Sequence, residues 1–415
     1  MDYVESNTQS KKKPSVFGGA CIIACVCVGA GMLGLPAAGA GAWTVWSFIV
    51  LSLTMLIMSA SGCLLLEVLK DYPYRASFSS VTKDLLGKRI SVFNNVMIYF
   101  VGGILLYAYI TSSGLIIHDY TGIEPKLASI LFVALFSVLV WHSTKMVDRV
   151  SVILMLFMVC SFVFSIAGLV KNIDGHALVS QAQFAQGQYI FALLPIALAS
   201  FGYHHTVSSM RDYYMEERKA QKAIVGGTII ALCIYLIWLI SVYGNLSRAN
   251  FPEIIAQGGD ISVLLQHLKT SLSTEALHQV ISAFSAAAIL SSFIGVGLGV
   301  FDFLADVFQF EDSNKGRTKT WAVTFLPPLI FSLLFPFGFL VAIGYAAAAA
   351  AVWACIIPAI LVKKVRLRTS VLSEKPNPYR VFGGDWVLIC VFLFGVLIIS
   401  IQIISFFGWL PTYGR

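Results

Sequence analysis

Two glycine-rich interruptions stand inside long apolar runs of this chain. The first, Cys27-Val-Gly-Ala-Gly-Met-Leu-Gly-Leu-Pro36, places Gly29, Ala30, Gly31, Met32 and Gly34 in mid-run. The second, Leu194–Ser209, carries Ser200, Phe201, Gly202 and Tyr203, followed by His204 and His205. Glycine and proline are the poorest helix formers. Where a helix unwinds, amide donors are freed at the start of one half and carbonyl acceptors at the end of the other. A zwitterion matches that pair of ends, its carboxylate on the amides and its ammonium on the carbonyls, with no charged side chain required. A lone glycine pair would read as tight helix packing. The matching interruption in the second run favours a ligand site instead.

Ionisable groups inside the apolar runs are few, and each is expensive there. His204 follows the second interruption. It could bind or relay a proton, or be a neutral imidazole bonded to a freed carbonyl. His205 points elsewhere, about 100° round a helix. Glu67 lies one turn before Lys70. It is a proton-site candidate by chemistry, but reads first as an interfacial carboxylate paired with Lys70 or a cytoplasmic arginine. Asp302 and Asp306, spaced i,i+4, share one face at a span end. They read as an inner gate or as a solvated helix end. Tyr107 and Thr111 share a face in the same way. Together with Phe201, Tyr203 and Phe293 they supply rings and a hydroxyl for an aromatic ligand, or they only pack. Ser291 and Ser292 are candidate sodium-ligating hydroxyls, or serines bonded back to their own helix.

These residues must be positioned by helices in lipid. Of 415 residues, 58% are hydrophobic and only 12% charged, with mean hydropathy +0.83. A soluble domain carries about twice that charged fraction. Eleven candidate spans follow, at 16–41, 44–69, 92–117, 127–142, 150–170, 188–210, 223–243, 277–301, 320–336, 338–362 and 385–408. All Lys and Arg except Lys126, Lys171, Arg248, Lys269 and Arg415 then fall on one side. That bias puts the N-terminus in the cytoplasm and the C-terminus outside. It also accounts for the net charge of +7 without nucleic acid. The first span is too long for a signal peptide and reads as retained. Cys21, Cys25 and Cys27 read as small packing residues on one helix, not as a metal site. Gly295-Val-Gly-Leu-Gly299 lies in a span with no strand before it, so it is no nucleotide loop. The ionisable residues are too scattered for a membrane enzyme. A channel remains conceivable and would not concentrate solute.

The spans divide as five, five and one. Residues 1–14 form a polar tail, 15–171 a first repeat, 187–362 a second and 385–408 an extra helix. Because five is odd, spans 6–10 start on the opposite side from spans 1–5, as an inverted repeat requires. Spans 1 and 6 are then the two discontinuous helices. The longest connection, 244–276, contains two short amphipathic pieces, Phe251–Ala256 and Ile261–Leu268. They read as an external lid or as a plain loop.

The motifs VGAGMLGLP (28–36), LLLEVLKDYP (64–73), LPIALASFGYHH (194–205), GLGVFDFLADVF (297–308) and TFLPPLIFSLLFPFGF (324–339) resemble the bacterial aromatic amino acid permeases, over nearly the whole chain. The resemblance implies an all-α integral membrane protein with a leucine-transporter-like 5+5 inverted repeat plus one helix. It further implies a bacterial inner-membrane location and proton-driven symport of an aromatic amino acid, with no cofactor beyond the coupling proton. The surroundings of Trp43 and Trp141–Arg149 look closer to the tryptophan permeases than to the tyrosine permeases. The chain departs from the family pattern at His205-Thr-Val-Ser-Ser209, usually Gly-Asn-Val-Pro-Ser, and at Gly297, usually Thr.

Overall fold

A computed structural model describes residues 15–74, 76–180, 184–271, 275–335, 338–372 and 379–414. The expected polar tail, 1–14, lies outside the described residues. Regular structure among the described residues is helical throughout, with no strand. In chain order the helices are α1 (Val16–Cys27), α2 (Ala30–Leu33), α3 (Leu35–Gly39), α4 (Trp43–Leu69), α5 (Phe78–Leu86), α6 (Lys88–Thr121), α7 (Pro125–His142), α8 (Thr144–Val170) and α9 (Gly175–Ser180). They continue as α10 (Ile190–Ser200), α11 (Val207–Tyr214), α12 (Glu217–Tyr243), α13 (Phe251–Ala256), α14 (Ile261–Ser271), α15 (Glu275–Phe308), α16 (Asn314–Leu334), α17 (Phe339–Ala351), α18 (Ile357–Leu372) and α19 (Gly384–Phe406).

Nine stretches among the described residues are long and apolar enough to cross a membrane. They correspond to nine of the eleven expected spans. The other two expected spans are helical but differ from the nine for visible reasons. The stretch 16–41 is divided into α1, α2 and α3. The part of the stretch 320–336 up to Leu334 belongs to α16, whose first turns carry Lys315, Arg317 and Lys319.

Side-chain caps and left-handed glycines set the helix ends. The Ser15 hydroxyl accepts from Gly18 N–H at 2.9 Å at the start of α1. Glu124 accepts from Leu127 N–H at 2.9 Å before α7, which has proline in its first turn. Gly122, with φ 72°, ends α6. The long helices bury their small faces on one another. A Cβ on Gly227 of α12 would stand 2.5 Å from the Ala20 carbonyl of α1, so only glycine permits that approach.

One end of the bundle is held by charge. Glu67 and Arg366 form a two-point ion pair there, and Arg366 also reaches Asp385 at 2.9 Å. At the other end Arg248 donates to the Ala40 and Gly41 carbonyls at 3.1 and 2.7 Å, capping the end of α3 with a cation. Trp43 turns the chain into α4 with φ 58° and stacks on Tyr243 at 4.2 Å. The two amphipathic pieces of 244–276 are α13 and α14, joined through Gly258 and Gly259 at φ 81° and 65°.

Candidate functional site

Both interruptions are real breaks. α1 stops at Cys27, Val28 and Gly29 are non-helical, and α2 begins at Ala30. α10 stops at Ser200, Phe201 is non-helical, and a 3-10 turn over His204–Thr206 leads into α11. The breaks face each other: an added Cβ on Gly31 would rest 3.4 Å from Ser200 Oγ.

Side chains from other helices meet the freed backbone groups. Ser292 of α15 accepts from Ala30 N–H at 3.1 Å. Gly29 allows this, since a Cβ there would lie 2.8 Å from Ser292 Oγ. Ser291 instead bonds back to the Ala288 carbonyl at 3.1 Å. Tyr235 of α12 is fully buried between the two breaks. Its hydroxyl stands 2.7 Å from the Cys27 carbonyl and 2.5 Å from the Ser200 carbonyl. One phenolic hydrogen therefore faces two acceptors, each at the C-terminal, partially negative end of a helix.

The second break is packed among aromatic rings. Phe201 meets Tyr235 edge-on at 5.1 Å. Tyr203 donates to the Met58 carbonyl at 2.9 Å, in space that Gly62 leaves free. His204 is 2% exposed and stacks on Tyr203 at 4.7 Å. Neither of its ring nitrogens has a hydrogen-bond partner among the described residues. Trp353 meets it edge-on at 6.0 Å from a π-helical turn over Val352–Ile356. Ser61 donates to the Ala354 carbonyl within that turn. The His205 side chain is exposed, unlike that of His204.

Other candidates are placed elsewhere. Tyr107 donates to the Phe335 carbonyl at 2.6 Å, and Thr111 bonds back to the Tyr107 carbonyl at 3.0 Å. The two share a face, as their spacing requires. Phe293 packs with Phe132 at 4.8 Å and Phe325 at 5.5 Å. Asp302 and Asp306 are exposed on one face of α15, and among the described residues neither forms an ion pair. The nearby Arg317 pairs with Asp312 at 3.0 Å instead.

Glu67 is 1% exposed and fully engaged. Its oxygens accept from Arg366 Nε at 2.8 Å, Arg366 Nη2 at 3.0 Å and Val381 N–H at 2.8 Å. Of its two sequence readings, the structure gives the carboxylate paired with an arginine. Lys70 turns away and donates to the Tyr379 carbonyl at 2.8 Å.

Sequence reasoning missed Tyr235 and Trp353. Nothing in their local sequence separates them from the other tyrosines and tryptophans of the apolar helices. Only the packing of α12 and the π turn across the breaks marks them.

The sequence model of the tryptophan/tyrosine permease family matches residues 12–402. A tryptophan-specific transport protein of Haemophilus influenzae is 41% identical, over 97% of this chain and 99% of its own length. A low affinity tryptophan permease of Escherichia coli is 35% identical over 98% and 99%. A tyrosine permease of Enterobacter agglomerans is 33% identical over 97% and 99%. Among solved structures, a manganese transporter of Eremococcus coleocola superposes with TM-score 0.62 over 99% of this chain and 93% of its own. At 12% identity that likeness concerns the fold alone.

Proposed function

The chain belongs to the tryptophan/tyrosine permease family, and from that premise we propose that it is a proton-coupled symporter importing an aromatic amino acid, L-tryptophan in preference, by alternating access. The observation that carries this reading is the meeting of two helix C-termini on the one Tyr235 hydroxyl. The Cys27 carbonyl also accepts from Gly29 N–H at 3.0 Å, so the open acceptor capacity lies on the Ser200 carbonyl, which an ammonium group can fill. The substrate carboxylate would take the Gly31 amide in the first turn of α2 and the Ser292 hydroxyl that Ala30 N–H holds in place. The Phe201 ring, edge-on to Tyr235 at 5.1 Å, would stack on an indole.

His204 is the proton site in this scheme. Its two buried, unpartnered nitrogens offer a place for a proton next to the second break. Glu67 is disfavoured for that role by its pairing with Arg366 and Val381 N–H. Sodium coupling is the minority reading: Ser292 Oγ already accepts from Ala30 N–H, while Ser291, a donor to the Ala288 carbonyl, keeps its lone pairs.

The layout in the membrane completes the proposal. α1–α3 form one discontinuous span and α10–α11 its counterpart in an inverted repeat of five plus five. α19 is the extra helix. The protein sits in the bacterial inner membrane with its basic end in the cytoplasm, and the α13–α14 hairpin covers the periplasmic side. No cofactor is required.

The test is uptake of labelled tryptophan into proteoliposomes. An inward proton gradient is compared with an inward sodium gradient at equal pH, with tyrosine and phenylalanine as competitors. Accumulation driven by protons and poorly displaced by tyrosine is expected. Accumulation driven by sodium, or equilibration without accumulation, overturns the scheme.

A further inference from the structure

The α13–α14 hairpin is seated on the bundle through close contacts. Phe251 meets Trp43 and Tyr243 edge-on at 5.9 and 5.6 Å. The Gly258 carbonyl accepts from Leu340 N–H at 3.1 Å, and Gly258 lies against Gly338 so closely that a Cβ on either would collide with the other. α14 packs along α6 and α15.

Asp260 stands where the hairpin turns into α14. It is 3% exposed. The amides of Ile261 and Ser262 and the Ser112 hydroxyl of α6 surround its carboxyl group. Yet Oδ1 has no hydrogen-bond partner of normal geometry among the described residues, and neither has Ser112 Oγ. Asp260 forms no ion pair among the described residues, and Asp119 of α6, of the same sign, adds to its burden. The other charged groups nearby are occupied. Glu253 faces His267 at 3.5 Å, and Lys269 and His278 both face Glu275. His118 bonds to the Ile123 carbonyl. α3 has no titratable side chain, and α17 has only Tyr345. A buried carboxylate with a like charge beside it and an unfilled oxygen is relieved by a proton.

We propose that Asp260, backed by Ser112, is a proton-binding site of this transporter, filled from the external solution as the α13–α14 hairpin seats on α6 and emptied as it lifts. The inference rests on the symport reading and adds to it a second protonatable position, at the lid. No covalent step is involved: a hydronium ion gives up its proton to the carboxylate, and water takes it back.

Burial raises the Asp260 carboxyl from its ordinary 3.8 to about 6, against the opposing effect of the two amides and the serine hydroxyl. A lifted hairpin returns the group to water and to its ordinary value. Seating is therefore favoured fully below the ordinary value and loses that support as pH rises through about 6.

The experiment is tryptophan exchange in proteoliposomes with the internal pH fixed, the membrane potential clamped and the external pH scanned from about 5 to about 8. The wild-type rate is expected to change with a midpoint near the raised value, since a single group goes from about nine-tenths protonated to nearly unprotonated over that range. Asp260→Asn, the isostere of the protonated acid, should flatten the normalised profile. Ser112→Ala removes a group that favours the ionised form, and should move the midpoint to higher pH. This second variant tests the site even if the first folds poorly. A wild-type profile without that midpoint, or an Asp260→Asn profile that keeps it, or an unmoved midpoint in Ser112→Ala, overturns the proposal. Proton-driven accumulation by the wild type is measured in parallel. Its absence would fell the symport reading itself, whereas its presence with an unchanged variant profile fells only the Asp260 site.

Discussion

Tyr235 donates its hydroxyl hydrogen toward the Cys27 carbonyl from 2.7 Å, across the gap that separates α12 from the end of α1. The same oxygen is 2.5 Å from the Ser200 carbonyl, so α12 joins the ends of both broken helices. The Cys27 carbonyl also accepts from Gly29 N–H at 3.0 Å, so the Tyr235 hydrogen can serve the Ser200 carbonyl, which left unmet in the bundle interior would cost about 1–3 kcal/mol.

Tyr235→Phe keeps the ring and its edge contact with Phe201 and deletes only that hydroxyl. It is expected to lower unfolding stability by about 1–3 kcal/mol, because the buried Ser200 carbonyl loses its donor while the Cys27 carbonyl keeps Gly29 N–H. Tryptophan affinity should fall roughly tenfold, equivalent to ~1.4 kcal/mol, as the two breaks lose their common anchor. Thermal unfolding and tryptophan binding on the purified variant check both. An unchanged affinity would remove Tyr235 from the site.

Gly29 tests the contact between α2 and α15. Its φ of −142° suits any residue, so alanine there meets no backbone penalty. The new Cβ would crowd Ser292 Oγ at 2.8 Å and disturb the bond to Ala30 N–H. Gly29→Ala is expected to impair uptake, and Gly29→Ala with Ser292→Ala to lose less than the two single effects combined. A double-variant cycle on uptake measures this coupling, and strict additivity would count against it.

Much of this arrangement is legible in the sequence, because helix interruption is written locally in residue type. Gly29, Gly31 and Gly202 announce the breaks, and the amphipathic pieces at 251–256 and 261–268 announce the hairpin. The partners of those features are not legible. Glu67 and Arg366 are 299 residues apart, and no local pattern says which basic residue a membrane-buried glutamate meets. Phe293 looks like any other ring beside a polar pair, yet the turn of α15 directs it toward Phe132 and Phe325 while Ser292 meets the break. Asp260, after two glycines and before an amphipathic helix, carries the mark of a helix cap. Only packing on α6 shows that it is buried with one carboxyl oxygen unfilled.

Glu67→Gln separates a structural role from a proton-carrying one. The amide cannot satisfy Arg366 as the carboxylate does, and removing one partner of a buried ion pair costs roughly 3–5 kcal/mol. Lower thermal stability and lower membrane abundance are expected. The protein that does fold should retain the ratio of proton-driven uptake to exchange. A selective loss of proton-driven uptake in a stably folded variant would return Glu67 to the coupling machinery.

His204→Gln asks the complementary question. Glutamine supplies polar atoms in place of the imidazole but cannot carry a proton near neutral pH. The two ring nitrogens have no partner to lose among the described residues, so folding stability should stay within about 1 kcal/mol of wild type or rise slightly. Transport should change in kind. Accumulation under an inward proton gradient is expected to collapse toward equilibration, while exchange of internal for external tryptophan continues. Measuring both modes on the same proteoliposomes decides the matter. Loss of both together would assign His204 to substrate binding or to packing against Tyr203 and Trp353, and persistence of accumulation would move the coupled proton to another residue.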